Sequence, residues 1–496
     1  MTTTAGDRTG PISPRAAVAI AYVASMFMSA MDNHIVNVML PTLTRDFHTS
    51  LDSAQWTIIG YVLSLAIFIP ASGWLGDRFG SKRVFLLALT LFTVASIACG
   101  LAQNLGQLVT FRILQGTGGG LLTPVATTML FREYAPNERA RMSRILVVPI
   151  LIGPVLAQPV GGLLVEKLSW RWAFYLNVPI GVLTLVVTLL YMVERAPARA
   201  WRFDVLGFLL GGFGLSAFLF AISEGEAKGW GSPLIVSTGL AGLVLLAAFG
   251  RVQLRKSQPM LRLSLLENRL FRATNTVNVL NTAAFSGLLF LAPVFLQEAE
   301  GQSSLAAGLT TFSTALGVMI ASQTLGRIYE YVGPRRMATA GQFGLALALA
   351  SFVLIGEGVN LWIIRAMLFF AGVCNSVTMI AVQASMFSDI SDHDTSSGSA
   401  ILNTGRQTAT AVGIAVFTTV ISSVGGSPLH AFHGAFLCAA AFALAAGVAA
   451  VLMIRDADAA SSMAARRRRR GDQKSAEDEA DGPTVPTSAI ESLATE

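Results

Sequence analysis

Charged residues are scarce in this chain. Asp, Glu, Lys and Arg make up 13% of its 496 residues, whereas hydrophobic residues make up 53%. Soluble globular domains carry about 25% charged residues, so this composition excludes an ordinary soluble protein. The mean hydropathy of +0.60 agrees with that exclusion. The sequence therefore predicts an integral membrane protein.

Cysteine is rare as well, and nucleotide-binding motifs are missing. The three cysteines, Cys99, Cys374 and Cys438, lie in apolar segments, where we expect them to pack as small hydrophobic side chains. No GxxxxGK[ST] pattern occurs, so the glycines at 116 and 118–120 do not form a phosphate loop. No pattern of nucleophile and base indicates an enzyme. We expect no cofactor and predict that the proton gradient supplies the energy.

Long apolar runs recur along the whole chain. Each approaches the roughly 20 residues that a helix needs to cross a hydrocarbon core of about 30 Å. We predict an all-α membrane protein with fourteen spans, at approximately residues 16–40, 53–76, 84–103, 107–131, 145–165, 172–193, 204–222, 233–250, 271–296, 305–326, 337–356, 360–386, 399–424 and 431–454.

The distribution of basic residues predicts the topology, because Lys and Arg accumulate on the cytoplasmic side. With a cytoplasmic N-terminus, 28 of the 35 Lys and Arg fall in cytoplasmic segments and four in external loops. We therefore expect a multi-pass protein of the cytoplasmic membrane, with a cytoplasmic N-terminal segment at 1–15. A disordered cytoplasmic tail is expected at 455–496, and its basic run Arg466 to Arg470 suits anionic lipid or topology control. The net charge of +6 thus needs no nucleic-acid partner.

One short sequence occurs twice, 253 residues apart: GWLGDRFGSKR at 73–83, the first hairpin, and GRIYEYVGPRR at 326–336, the second hairpin. The matched residues are Gly73, Asp77, Gly80, Lys82 and Arg83 in the first hairpin, and Gly326, Glu330, Gly333, Arg335 and Arg336 in the second. The repeat predicts two six-helix halves, 16–193 and 271–454, joined by a linker, 194–270, that carries two extra spans. Parallel halves of this kind place a substrate site between them, near the middle of the membrane.

The residues of the first hairpin suggest a gating role on the cytoplasmic side, and the repeat extends this prediction to the second hairpin. Gly73 and Gly80 permit close packing and a tight turn, and Asp77 can accept hydrogen bonds from the N-terminus of a neighbouring helix. With the basic residues Arg78, Lys82 and Arg83, such contacts would hold the halves together on the cytoplasmic side. For the basic residues alone, topology control remains the alternative.

Asp32 is the only carboxylate well inside a predicted span. An ionised Asp at a helix centre costs about 2.5 to 3.5 kcal/mol on insertion scales, so it is expected to face a cavity or a partner. We interpret it as a proton carrier; the alternative is a structural carboxylate paired permanently with an arginine. Asn33 and Asn37 share a helix face and, with Asp32 and Gln115, are candidates to line a substrate cavity, although a purely structural role for them stays open.

Three arginines lie inside predicted spans: Arg112, Arg365 and Arg406. An arginine in a membrane needs water, a carboxylate or backbone carbonyls. We predict that Arg112 assists proton release from Asp32; a fixed hydrogen bond between helices is the alternative. One intramembrane carboxylate against three arginines predicts a monocationic, zwitterionic or neutral amphipathic substrate rather than a dication.

Span 5 carries a run rich in glycine and proline, GPVLAQPVGG, with Gly153, Pro154, Pro159, Gly161 and Gly162. Prolines kink a helix and glycines give it a flat surface, so this span is expected at the interface between the halves. A further polar run, SDISDHDTSSG at 388–398, is interpreted as a solvated loop and not as a metal site.

These motifs together resemble the major facilitator superfamily, in particular its fourteen-span drug:proton antiporters, over about residues 15–455. The loop pattern G-x-L-x-D-R-x-G-R-K is matched by Gly73, Leu75, Asp77, Arg78, Gly80 and Lys82, with Ser81 replacing a basic residue. The span-1 pattern, an acid before V-N-x-A-L-P, is matched by Asp32, Val36, Asn37, Leu40 and Pro41, with Met39 replacing the usual small residue. The span-4 pattern R-x-x-Q-G is matched by Arg112, Gln115 and Gly116.

The antiporter pattern of span 5, G-P-x-x-G-G, is matched imperfectly, because Gly153 and Pro154 are followed by AQPVGG. The resemblance implies the major facilitator fold and proton-driven export of lipophilic small molecules or drugs by alternating access. Substrate, protons and the lipid bilayer are the implied partners, and a monomer the implied working unit. Export of an endogenous metabolite or lipid, proton symport and a membrane sensor are the alternatives.

Overall fold

The computed structural model describes residues 12–49, 51–134, 153, 157, 160–161, 163–194, 203–256, 259–325, 329–356, 358–388, 390–391, 394–423 and 428–455. Within these ranges the regular secondary structure is helical. Pro154, Pro159, Gly162 and Gly326 lie outside the described residues, as do the predicted tail from 456 onward and the side chains of Asn37 and Glu330.

The described helices are, in chain order, α1 Pro14–Asp46, α2 Leu51–Phe79, α3 Ser81–Leu101, α4 Leu105–Glu133, α5 Arg171–Tyr175, α6 Asn177–Tyr191, α7 Val205–Lys228, α8 Pro233–Arg255, α9 Arg269–Glu298, α10 Ser304–Thr324, α11 Tyr329–Val332, α12 Pro334–Ser351, α13 Leu361–Ser385, α14 Thr395–Ser423 and α15 Pro428–Met453. A short 3-10 helix, Leu263–Glu267, precedes α9.

Local sequence signals explain where several helices begin. The side chains of Ser13, Asn104 and Asn268 each accept a hydrogen bond from a backbone amide in the first turn of the helix that follows. Gly80 and Gly333 have positive φ angles of 93° and 80°, and each separates two helices of a hairpin. The 253-residue repeat therefore reappears as the same backbone turn at equivalent positions.

The helices suit a membrane by length and composition. Ten described helical segments are long and apolar enough to cross it. Thirteen of the predicted spans coincide with a described helix, or with the pair α5 and α6; the fifth lies largely outside the described residues, and the total of fourteen stays a prediction. Large apolar side chains such as Leu87, Leu183 and Leu347 are exposed on the helix surfaces, as lipid contact requires.

Packing divides the helices into two groups. Helices α1 to α6 pack against one another, and helices α9 to α15 form a second group. The first group holds its own apolar clusters, around Phe92 and around Trp170, and the second is centred on Phe295 and Phe352. Helix α7 packs on α8 and reaches α2 in the first group and α14 in the second. Helices α2 and α4 also contact α14, which brings the two groups together.

Candidate functional site

Asp32 lies in α1 and is buried. Its Oδ2 accepts a hydrogen bond from Nη1 of Arg112 at 2.6 Å. Its Oδ1 accepts hydrogen bonds from the amides of Gln115 at 2.9 Å and Asn177 at 3.1 Å. All three partners donate, which is the arrangement that an ionised carboxylate requires. Asp32 is therefore paired and hydrogen-bonded through both oxygens inside the first group of helices.

Arg112, in α4, has only 1% of its surface exposed. Besides the ion pair, its Nε donates to the carbonyl of Thr57 at 3.0 Å and its Nη1 to Oε1 of Gln115 at 2.8 Å. The guanidinium also stacks on the ring of Tyr61, with 4.1 Å between Cζ and the ring centroid. Arg112 thus has both kinds of partner expected from the sequence, a carboxylate and a backbone carbonyl.

Ser96 of α3 and Asn177 of α6 complete the cluster, and sequence reasoning missed both. The Ser96 hydroxyl accepts hydrogen bonds from Gln115 at 3.2 Å and from Asn177 at 3.1 Å, and it donates to the carbonyl of Phe174 at 2.9 Å. Asn177 is a lone amide in an apolar span, and no other feature of the sequence points to it. We call Asp32, Ser96, Arg112, Gln115 and Asn177 the buried polar network.

The charge on Asp32 bears directly on how the buried polar network packs. A proton on Asp32 would remove the counter-ion of Arg112 while that guanidinium stays buried. An uncompensated buried charge is costly by several kcal/mol, so the network must rearrange when Asp32 changes its charge. Since the network joins α1, α3, α4 and α6, a proton can alter how these helices pack.

The second group of helices has no acid at the equivalent position. In the 253-residue repeat, Phe285 is the residue equivalent to Asp32, and it is buried in an apolar cluster. Close by in α9, Asn281 donates to Oδ1 of Asn375 at 3.1 Å and accepts from Gln342 at 2.6 Å, which also donates to Thr378 at 3.1 Å. This neutral cluster was also missed from the sequence. A charged network and a neutral one thus occupy the two groups.

The other residues predicted to line a substrate cavity are placed differently. Gln115 belongs to the buried polar network and is fully buried. Asn33 is half-buried, and its amide donates to the carbonyl of Ser29 in its own helix at 3.0 Å. Neither Gln115 nor Asn33 lines the cavity that lies between the two groups of helices.

That cavity, the interface cavity, lies between α1 and α4 on one side and α9, α13 and α14 on the other. Its lining residues are Tyr22, Thr127, Phe131, Asn278, Met379, Val382, Gln383, Met386, Phe387, Leu402 and Arg406. Of the intramembrane arginines, only Arg406 lines it. Arg365 instead lies in the first turns of α13, with its Cζ 4.7 Å from the Trp362 ring centroid.

The first hairpin contacts the second group of helices. Oδ1 of Asp77 accepts hydrogen bonds from Arg132 at 2.8 Å and from the hydroxyl of Ser396, near the N-terminus of α14, at 2.6 Å. Arg132 also donates to Ser396 at 2.7 Å. A Cβ on Gly73 would lie 3.2 Å from the Ser396 carbonyl, so the backbones approach closely here. We call Asp77, Arg132 and Ser396 the hairpin contact.

The remaining residues of the first hairpin act within one group. The carboxylate of Glu194, just beyond α6, accepts from the backbone amides of Lys82 at 3.2 Å and Arg83 at 3.1 Å. Lys82 donates through Nζ to the carbonyls of Leu189, at 3.2 Å, and Met192, at 2.5 Å, near the end of α6. In the same group, Arg78 is exposed.

The second hairpin has the same glycine turn as the first. Arg335 and Arg336 are exposed at the start of α12, and Gly333 forms the turn that precedes them. In span 5, Gly161 is buried, and a Cβ on Gly153 would lie 2.9 Å from Cβ of Ala30 in α1. Gly153 therefore packs within its own group of helices.

No group of three or more metal-binding side chains occurs in the described part of the chain. In the polar run before α14, Asp394 accepts a hydrogen bond from Nη1 of Arg262 at 2.8 Å and one from the hydroxyl of Ser391 at 2.8 Å. Asp389, Asp392 and His393 lie outside the described residues. The Arg262 contact instead ties the linker to the start of the thirteenth predicted span.

Comparison of the sequence with known proteins identifies the family of this chain. The model of the Major Facilitator Superfamily matches residues 22–267 and 274–493. The chain is 31% identical over 405 residues to a multidrug resistance protein B homolog of Mycobacterium tuberculosis, covering 81% of this chain and 75% of that protein. It is 31% identical over 418 residues to a putative multidrug resistance protein MdtD of Serratia proteamaculans, covering 83% and 87%.

A solved structure has the same fold. The human organic anion transporter MFSD10 (TETRAN) superposes with a TM-score of 0.61 over 88% of this chain and 99% of its own chain. Sequence identity is 17%, so this likeness concerns the fold alone. The predicted all-α architecture with the major facilitator fold is confirmed.

Proposed function

Because this chain belongs to the major facilitator superfamily of membrane transporters, we propose that it is a proton-coupled antiporter that exports lipophilic small molecules by alternating access. The observation that carries the proposal is the ion pair of Asp32 and Arg112, at 2.6 Å, with both side chains almost completely buried. Charged side chains inside a membrane are energetically unfavourable, and those that occur there commonly mark proton and ion pathways.

In this mechanism Asp32 alternates between an ionised and a protonated state. The ionised state is held by three donors, Arg112, Gln115 and Asn177. When Asp32 binds a proton, Arg112 loses its counter-ion and keeps the carbonyl of Thr57 and Oε1 of Gln115 as acceptors. The weaker hold between α1 and α4 favours a different packing of the first half, so that proton binding shifts the conformational equilibrium.

The hairpin contact supplies the second element of the mechanism. It joins the first half, 16–193, to the second, 271–454, through Asp77 and Ser396, at the side where α2 ends and α14 begins. We propose that this side is cytoplasmic, that both termini lie there, and that the contact breaks when the transporter opens to the cytoplasm. Substrate and proton then favour different states of the same pair of halves, which couples their fluxes.

Export of drugs is favoured over uptake by the names of two relatives, both described as multidrug resistance proteins. The lipophilic character of the substrate is supported by the interface cavity, where Phe131, Met379 and Phe387 form apolar walls. We propose that the protein lies in the cytoplasmic membrane and works as a monomer. We also propose that it needs no cofactor and is driven by the proton gradient.

The test is the direction of flux in a proton gradient. The purified full-length protein is reconstituted in inside-out vesicles with an acidic interior, and a panel of lipophilic dyes that includes rhodamine B is added outside. An antiporter accumulates dye inside and releases protons. A symporter expels dye with protons, and uptake that is insensitive to the gradient would contradict proton coupling altogether.

A further inference from the structure

Arg406 is a charged side chain inside a membrane helix that has no counter-ion in the described part of the chain. No hydrogen bond or ion pair joins its guanidinium to another described residue. It lies about 16 Å along α14 from the first residue of that helix, at 1.5 Å per residue. An arginine at this depth in a membrane is unfavourable unless water, a carboxylate or another acceptor group reaches it. It lines the interface cavity between the two halves.

Asn278 provides a second, independent observation at the same cavity. It lies in α9, has 3% of its surface exposed, and lines the interface cavity with Arg406. Its Nδ2 is buried without a hydrogen-bond partner in the described residues. A buried donor without an acceptor is unfavourable. Two side chains from different helices thus offer donors to one cavity, and neither donor group is hydrogen-bonded to another described residue.

The rest of the cavity wall fits an apolar body beside an acceptor group. No Asp or Glu is among the residues that line the described cavity. Phe131 and Phe387 meet across the two halves with 4.4 Å between ring centroids, and Met379 and Met386 extend the apolar surface. Aromatic rings and flexible thioethers favour planar apolar ligands of varied shape.

We propose that the transported substrate carries a carboxylate or similar anionic group that binds Arg406 and Asn278, beside a planar apolar body that contacts Phe131 and Phe387. The inference rests on the proposed transport function and restricts its lipophilic substrates to amphipathic organic anions and zwitterions. It keeps the zwitterions predicted from the sequence, adds organic anions, and excludes the monocationic and neutral substrates that the sequence prediction also included. An arginine guanidinium is the side chain best suited to a carboxylate, because its parallel N–H groups match the two oxygens. Substrates with a positive charge alone would be repelled by Arg406.

A matched pair of probes tests this charge requirement. Rhodamine B carries a free carboxylate, and its ethyl ester has the same ring system with that charge removed. Binding of each dye to the purified full-length protein in nanodiscs is followed by fluorescence anisotropy, without a proton gradient and with empty nanodiscs subtracted. We expect rhodamine B to bind about tenfold more tightly than the ester. Arg406→Gln should abolish this preference, and Arg406→Lys should keep part of it.

Arg365→Gln is the matched control, since it removes the same charge from the neighbouring helix α13 at a position outside the cavity lining. It should leave the preference unchanged. Asn278→Leu keeps the side-chain size and every formal charge, and it should reduce the preference for rhodamine B. It provides the test if Arg406→Gln fails to fold. Equal binding of the two dyes to the wild type, or an intact preference in Arg406→Gln or Asn278→Leu, would overturn the proposal. Because no gradient is present, a failure of proton coupling leaves this result unaffected.

Discussion

Asp32 and Arg112 place two charges together in a membrane interior, and the sequence left two interpretations of them open. In one, Asp32 carries protons; in the other, the pair is a permanent structural contact. The observed pair, buried and closed by Gln115 and Asn177, is compatible with both. Stability and transport must therefore be measured separately, because a structural pair affects transport only through stability.

Replacing Asp32 with Asn leaves Arg112 buried without a counter-ion. Breaking a buried ion pair from one side costs about 3 to 5 kcal/mol, so we expect a lower free energy of unfolding. We also expect loss of proton release on dye transport. Thermal unfolding of the purified protein and a pH-sensitive dye inside proteoliposomes measure the two effects.

The double variant Asp32→Asn with Arg112→Gln separates the interpretations. With both charges removed, most of the lost stability should return, since no uncompensated charge remains. Proton coupling should stay absent. A double variant that regains stability and coupling together would identify the pair as purely structural, and coupled transport in the single variant would contradict the role of Asp32.

At the scale of single helices, α4 owes its position to glycines. A Cβ on Gly120 would lie 2.5 Å from the carbonyl oxygen of Leu65 in α2, and one on Gly118 would lie 2.8 Å from the amide of Phe92 in α3. Backbone atoms cannot move aside as a side-chain tip can. Helix α4 therefore packs between α2 and α3 at a distance that only glycine allows.

We expect Gly120→Ala to displace α4 from α2 and to lower the melting temperature. Gly106→Ala is the matched control in the same helix, because its nearest neighbour is the Asn104 side chain, at 3.5 Å. There the better helix propensity of alanine should leave the melting temperature unchanged or higher. Equal melting temperatures for the two variants would contradict the packing argument.

The inserted pair α7 and α8 is fastened by Asp204, the residue before α7. Burial disfavours its charged form, but hydrogen bonds from Lys256, the Gly207 amide and Gln253 outweigh burial and lower the pKa of Asp204. Because the pKa of Asp204 is lower in the folded state, the ionised carboxylate stabilises the fold at pH values above its unfolded pKa of about 3.9. This stabilisation is lost as the pH falls through the folded pKa.

Asp204→Asn should therefore be less stable than the wild type at neutral pH. The difference in melting temperature should shrink as the pH falls below about 4, because the wild-type carboxyl then gains its own proton. Melting curves of both proteins across the acid range measure this. A difference that stays constant with pH would show that the charge of Asp204 does not stabilise the pair.

The helices were predictable from the sequence because length and apolarity fix a membrane helix. Contacts between distant helices were not. Asp32 and Arg112 were each recognised by the cost of a charge in the membrane, but Ser96 and Asn177 are ordinary polar residues until the fold brings them within 3.1 Å of each other. Arg406 was recognised from the sequence as an arginine inside a predicted span. Its place in a cavity beside Asn278 could not be predicted, because it depends on how the two halves meet.

At the scale of the whole molecule, the first hairpin joins the two halves. In this hairpin, Asp77 binds Ser396 across the interface. If this contact holds the cytoplasmic side closed, its loss should expose the interface cavity to that side. Thr127, which lines the cavity, offers a reporter position. In a cysteine-free background, Thr127→Cys can be labelled by a membrane-impermeant maleimide added to the cytoplasmic face.

We expect Asp77→Asn to raise the labelling rate of that cysteine about tenfold, because a charge-assisted hydrogen bond that favours the closed state is lost. Glu194→Gln is the control, since Glu194, the residue that follows the first half, binds Lys82 and Arg83 of that half. It should change stability without changing the labelling rate. If both variants label at the wild-type rate, the hairpin contact does not hold the halves closed, and the first hairpin then serves only to position the helices of its own half.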